Sequence, residues 1–172
     1  DELKAISKAV NLLAEKGIFT LEELDAALSS VSDKASEIRG AMKPREARIK
    51  QLQKLIEQAP NLQKTRPVQD AYKQIRRKGK QEQFAETHRA DLTIWETANR
   101  YLRANLPDMK LAPKAWQTEL AKLTAENEAE YAKLKAQREV VSDLQKIHRY
   151  VDIALKEDAP QQSKTRNHNI DR

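Results

Sequence analysis

With 172 residues, 34% charged, 39% hydrophobic and only 5% aromatic, the chain is as long as one globular domain but lacks the aromatic mass of a wide core. Cysteine is absent, which excludes disulfides and thiolate metal sites, and no apolar run approaches the ~18 to 20 residues of a membrane span. Of the six excess positive charges, five fall in residues 58–110, which hold 11 basic and 6 acidic side chains, whereas residues 1–57 and 111–157 are balanced.

These totals lead to the expectation of a cytoplasmic all-α protein without membrane contact. Residues 1–16 carry Asp1, Glu2 and Glu15 among their apolar positions and have no h-region, so they are not a signal peptide. A first residue other than Met suggests a fragment or a processed product.

In chain order, residues 1–17 hold a short amphipathic helix with Leu3, Ile6, Val10 and Leu13 as its inner stripe and Gly17 at C′. Thr20 followed by Glu23 is a capping box that starts a long coiled-coil helix, 20–59. From Leu21 to Ala59 a 3,4 alternation runs unbroken, with Arg45 as its one polar entry. Gly40 and Pro44 predict a kink or break near 40–44, and Pro60 is expected to end the helix.

Residues 60–112 are expected to form a basic helical cap segment. A helix starts at Pro67 and is interrupted at Gly79, and a further helix covers about Gln81 to Asn105, with Phe84, His88, Leu92, Trp95 and Leu102 as a stripe. A second long coiled-coil helix follows at 113–157, with Asn127 at an interior position. The polar segment 158–172 is expected to be a disordered tail.

At ~1.5 Å per residue the two long helices would be roughly 58 and 66 Å, a match that mutual packing requires. The expected architecture is an elongated antiparallel coiled-coil hairpin of two long helices with a small helical cap between them. The alternative is an up-down-up three-helix bundle in which 67–105 returns along the seam.

No catalytic constellation emerges, so no enzyme, cofactor or small-molecule substrate is expected. The carboxylates of Glu126 and Glu130 share a helical face beside Lys122 and Lys133, which fits a solvated surface better than acid–base chemistry. His88 lies on an apolar stripe without a second ligand at i+4, and Trp95, Tyr101 and Trp116 have the spacing of a core cluster.

Two groups of polar residues carry specific expectations. "QIRRKGK", residues 74–80, holds Arg76, Arg77, Lys78 and Lys80, and Lys73 directly precedes it. One reading is DNA phosphate contact without base readout. The other is a solvated elbow in which Gly79 supplies a positive φ and the cations complement a helix C-terminus. Arg45 and Asn127 are seam polar residues that could fix register, and an antiparallel pairing puts Arg45 near Glu130.

The pieces "EKGIFTLEEL", "TRPVQDAYKQ", "KQEQFAETHRADLTIWETANRYL" and "RYVDIAL", in that order, resemble the region after the catalytic domain of mobilisation relaxases from Gram-positive plasmids and conjugative transposons. The residues that carry the likeness are Lys16, Gly17, Ile18, Glu22, Glu23 and Leu24, then Arg66, Pro67, Val68 and Tyr72, then Phe84, and finally Ala98, Tyr101 and Leu102. The resemblance runs over roughly residues 10–156. That family is similar to HUH endonucleases, which nick DNA with a tyrosine and a metal held by clustered histidines. Here His88, His148 and His168 are isolated. The resemblance therefore implies a non-catalytic accessory region that contacts proteins, either itself or another partner, and DNA. A free-standing coiled-coil scaffold is the alternative.

Overall fold

The computed structural model describes residues 2–157. Among them the chain is all-α, with five helices and no strand: α1 (Glu2–Glu15), α2 (Leu21–Gln74), α3 (Lys78–Thr87), α4 (Arg89–Asn105) and α5 (Pro113–Glu157). The segment 158–172, expected as a tail, lies outside the described residues. Two compact units divide the chain, one made of residues up to Glu37 with those from Lys133 onward, the other of Ile38–Ala132.

In the first unit, α1 ends in a Schellman turn. Gly17 takes φ +65°, its N–H donates to the Ala14 carbonyl at 3.1 Å, and the Ile18 N–H donates to the Leu13 carbonyl at 2.9 Å. Directly after it, the Thr20 Oγ1 accepts from the Glu23 N–H at 3.2 Å while the Glu23 carboxylate accepts from the Thr20 and Phe19 N–H groups. Two helix ends are thus closed within seven residues, and Ile18 between them is buried.

Ile18, Leu24, Leu144 and Ile147 form the core of this unit, with Leu12, Leu13, Leu28 and Val151 packed against it. The inner face of α1 is not the expected stripe. Leu3, Ile6 and Val10 are exposed, and α1 packs through Ala9, Leu12 and Leu13. The Schellman turn holds Leu13 beside Ile18, which turns the neighbouring arc of α1 inward.

The second unit is centred on Leu52, Leu55, Ala59 and Leu62 of α2, Ala98 and Leu102 of α4, and Trp116 of α5. Trp95, Tyr101, Leu120 and Leu123 pack around them, so the aromatic residues are core members. Leu55 and Leu62 lie off the 3,4 seam. They widen the buried face of α2 and give it α4 as a second neighbour.

Three helix boundaries differ from expectation. α2 runs without interruption through Pro44, Pro60 and Pro67, so there is no break at 40–44, no end at 59 and no new start at 67. Residues 61–74 therefore belong to the long helix and not to a cap. All three prolines are on the exposed side of α2, where the carbonyl released one turn earlier can face water. At Pro60 the cost of one interior proline, about 3 kcal/mol, is outweighed by the fully buried Leu52, Leu55 and Leu62 around it, at about 2 kcal/mol each.

The helix expected over 81–105 is two helices that meet at His88, whose φ of −111° and ψ of 24° end α3. The His88 ring lies against Phe84, with centroids 4.2 Å apart. Between α4 and α5, Met109 takes φ 49° and its N–H donates to the Leu106 carbonyl at 3.1 Å.

Pro60→Ala tests the continuity of α2. In an exposed helix interior it should raise stability by about 1–3 kcal/mol in urea unfolding, whereas a proline placed between two helices would give no such gain.

Candidate functional site

The cationic segment begins in the last turn of α2. Tyr72 is half-buried and its carbonyl accepts from the Gln81 side chain at 3.2 Å, which draws α3 back onto the end of α2. The turn itself is at residues 75–77. Arg77 is extended, with φ −85° and ψ 116°, and serves as the N-cap of α3 without a side-chain capping bond.

Gly79 lies within the first turn of α3, and the only glycine with positive φ among the described residues is Gly17. The expected role of Gly79 is therefore corrected. The two chain reversals at 16–18 and 75–77 use different chemistry, and only the first requires glycine. Nothing lies within 4 Å of a Cβ built at Gly79.

Lys73 is in the last turn of α2, at a helix C-terminus as expected, whereas three of the other cations are at the opposite pole of the next helix. Arg77, Lys78 and Lys80 surround the start of α3, where the helix dipole is positive and no acidic residue occupies the first turn. Arg76, Arg77, Lys78 and Lys80 are exposed. Among the described residues none of the four is in an ion pair. Like charges thus accumulate at a positive helix end whose N–H groups lack a side-chain cap, an arrangement that favours an anion.

Lys73 differs from the others. Its Nζ lies 5.5 Å from the Trp95 ring centroid, so α2 and α4 meet there through a cation–π contact. Beside it, a groove of about 420 Å³ is lined in part by Tyr72, Arg89, Leu92 and Trp95. The Trp95 indole Nε1 is buried without a hydrogen-bond partner.

The seam polar residues occupy the same unit. Arg45 Nε meets Glu126 at 3.6 Å, one helical turn before the expected Glu130 on α5, and Lys122 approaches Glu126 at 4.0 Å. The Arg45 Nη1 and the Asn127 Oδ1, a donor and an acceptor, are both buried without partners.

Arg48, which the sequence pattern did not single out, makes the stronger contact. It donates to both Glu119 oxygens, at 2.7 and 2.9 Å, and to the Gln51 side chain at 2.7 Å. Gln51 donates onward to Asn105, which donates to the Tyr101 carbonyl. Arg45 with Glu126 and Arg48 with Glu119 run in opposite numerical order along α2 and α5. Arg48 holds the Glu119 carboxyl below its ordinary value, while Glu119 raises the guanidinium further and burial raises the Tyr101 phenol.

Among the described residues no group of three or more His, Cys, Asp or Glu side chains could hold a metal ion. Among the described residues no helix is long and apolar enough to cross a membrane.

Because the folded state lowers the Glu119 pKa, the Arg48–Glu119 pair contributes fully above the ordinary carboxylate value of 4.5 and fades as pH falls through the lower folded value. Both side chains are 39% exposed, so solvent screening limits the pair to about 0.5–1 kcal/mol. A double-mutant cycle with Arg48→Met and Glu119→Gln should read that coupling at pH 7 and none once Glu119 is protonated. Compared with proteins already characterised, the chain matches no family model, no curated protein and no solved structure.

Proposed function

We propose that the chain is the non-catalytic helical accessory region of a relaxase-like DNA-mobilisation protein, and that the elbow at 73–80 holds nucleic-acid phosphates without reading sequence. The observation that carries the phosphate reading is the set of four exposed cations outside any ion pair, three of them at the uncapped start of α3. An anion there would meet helix N–H groups, a favourable dipole and mobile ammonium or guanidinium donors at once. The parentage is supported by the order and spacing of the motifs from Lys16 to Leu102. No catalysis is assigned to this chain.

The test is affinity for a single-stranded oligonucleotide as a function of salt. Four phosphate contacts release enough counterions for a slope near −2.8, so affinity should fall about fiftyfold between 50 and 200 mM salt. Replacing Lys73, Arg76, Arg77, Lys78 and Lys80 by Gln should remove most of the slope, and unchanged binding at low salt would refute the phosphate reading.

A finer architecture belongs with this reading, namely an antiparallel coiled-coil hairpin of α2 and α5. It is supported by the opposite numerical order of the ion pairs in one unit and by Leu24 and Val151 meeting in the core of the other. Cysteines at 24 and 151 should cross-link, whereas cross-linking of 24 with 120 would favour the three-helix bundle.

A scaffold without a DNA role is the second reading. It is favoured by the exposed Leu3, Ile6 and Val10 of α1 and by Tyr150 and Ile153 of α5. A gel shift with no salt-sensitive complex would select it.

A further inference from the structure

His148 stands on α5 in the first unit, 28% exposed, between two carboxylates. Its Nε2 is 2.8 Å from the Asp25 Oδ1 on α2, and its Nδ1 is 3.0 Å from the Asp152 Oδ2 one turn further along α5. Carboxylates at neutral pH only accept hydrogen bonds, and a neutral imidazole has a single N–H. Both contacts are therefore made only by the imidazolium. A neutral ring would keep one bond and turn a lone pair toward the other carboxylate.

From this geometry we infer that His148 is a proton-dependent latch, which in its charged form fastens the first turns of α2 to the end of α5 and releases them on deprotonation.

The charged groups nearest the ring belong to α2 and α5. On α2 the facing group is Asp25, with the exposed Glu22 one turn before it; on α5 it is Asp152, with the exposed Arg149 next in sequence to His148. α1 presents the apolar Ala9, Leu12 and Leu13 to this core, and its Lys8 lines a separate groove with Asp143 and Lys146. Leu24 and Ile147, the residues just before Asp25 and His148, are both buried in the core of the unit. A change at the ring is thus passed directly to the packing of α2 on α5.

The sign follows from proton uptake. The latch is closed on the acid side, where the ring carries both N–H groups, and opens as pH rises and one of them is lost. Amide hydrogen exchange reads this residue by residue, and the His148→Gln variant separates it from the titration of other groups. After correction for intrinsic exchange, the Leu144 and Ile147 amides should exchange about two- to fivefold faster at pH 8 than at pH 5.5, the scale of one exposed ion pair. In His148→Gln this pH dependence should vanish, and Asp152→Asn should reduce it. Nitrogen NMR of the ring at pH 5.5 should show both nitrogens protonated. Equal protection at the two pH values, a pH dependence that survives in His148→Gln, or a singly protonated ring at pH 5.5 would each overturn the latch.

Discussion

Everything in the second unit depends on α2 remaining one helix across Pro60. Had the chain turned there, Leu62 and Thr65 would leave the face that carries Leu52, Leu55 and Ala59, and α4 would lose its seat. Continuity is maintained because the cost of a proline is local and falls on the solvent side, while the gain from burial is spread over two helical turns on the opposite side. A helix with its prolines facing inward would have no such compensation. The same asymmetry applies at Pro44, where the buried Met42 and half-buried Ile49 keep the face continuous.

Much of this was legible in the sequence wherever a signal is local and backbone-directed. The Gly17 turn and the Thr20–Glu23 cap were readable because each involves atoms within a few residues. The start of α5 at Pro113 was readable for the same reason. The end of α2 was not, because a proline states only the local cost, and the tertiary burial that outweighs it is invisible in a one-dimensional pattern. Leu55 and Leu62 were missed for a related reason: a 3,4 alternation describes one neighbouring helix, and α2 has two.

The candidate site was legible in composition and misread in geometry. The clustering of cations in residues 73–80 is evident from the sequence. Assigning them to a helix C-terminus assumed that Gly79 ends a helix, yet it belongs to the first turn of the next. That reverses the electrostatics for Arg77, Lys78 and Lys80, which stand beside free N–H groups, while Lys73 remains in the last turn of α2. Arg48 escaped notice because its partner, Glu119, is 71 residues away and neither residue interrupts a pattern.

The two connections in the second unit differ in how tightly they are fixed. Met109 holds a left-handed backbone that side chains other than glycine seldom adopt, and such a conformation persists only where its surroundings determine it. Here Leu106, Met109 and Leu111 all pack on the Leu102 and Trp116 cluster, so the passage from α4 to α5 is clamped by its own side chains. The passage from α2 to α3 has only Ile75 turned partly inward among three residues. Conformational freedom within this unit is therefore unevenly distributed. The α4–α5 passage is set by core side chains, whereas the elbow is held by Ile75 and by the Gln81 side chain on the Tyr72 carbonyl.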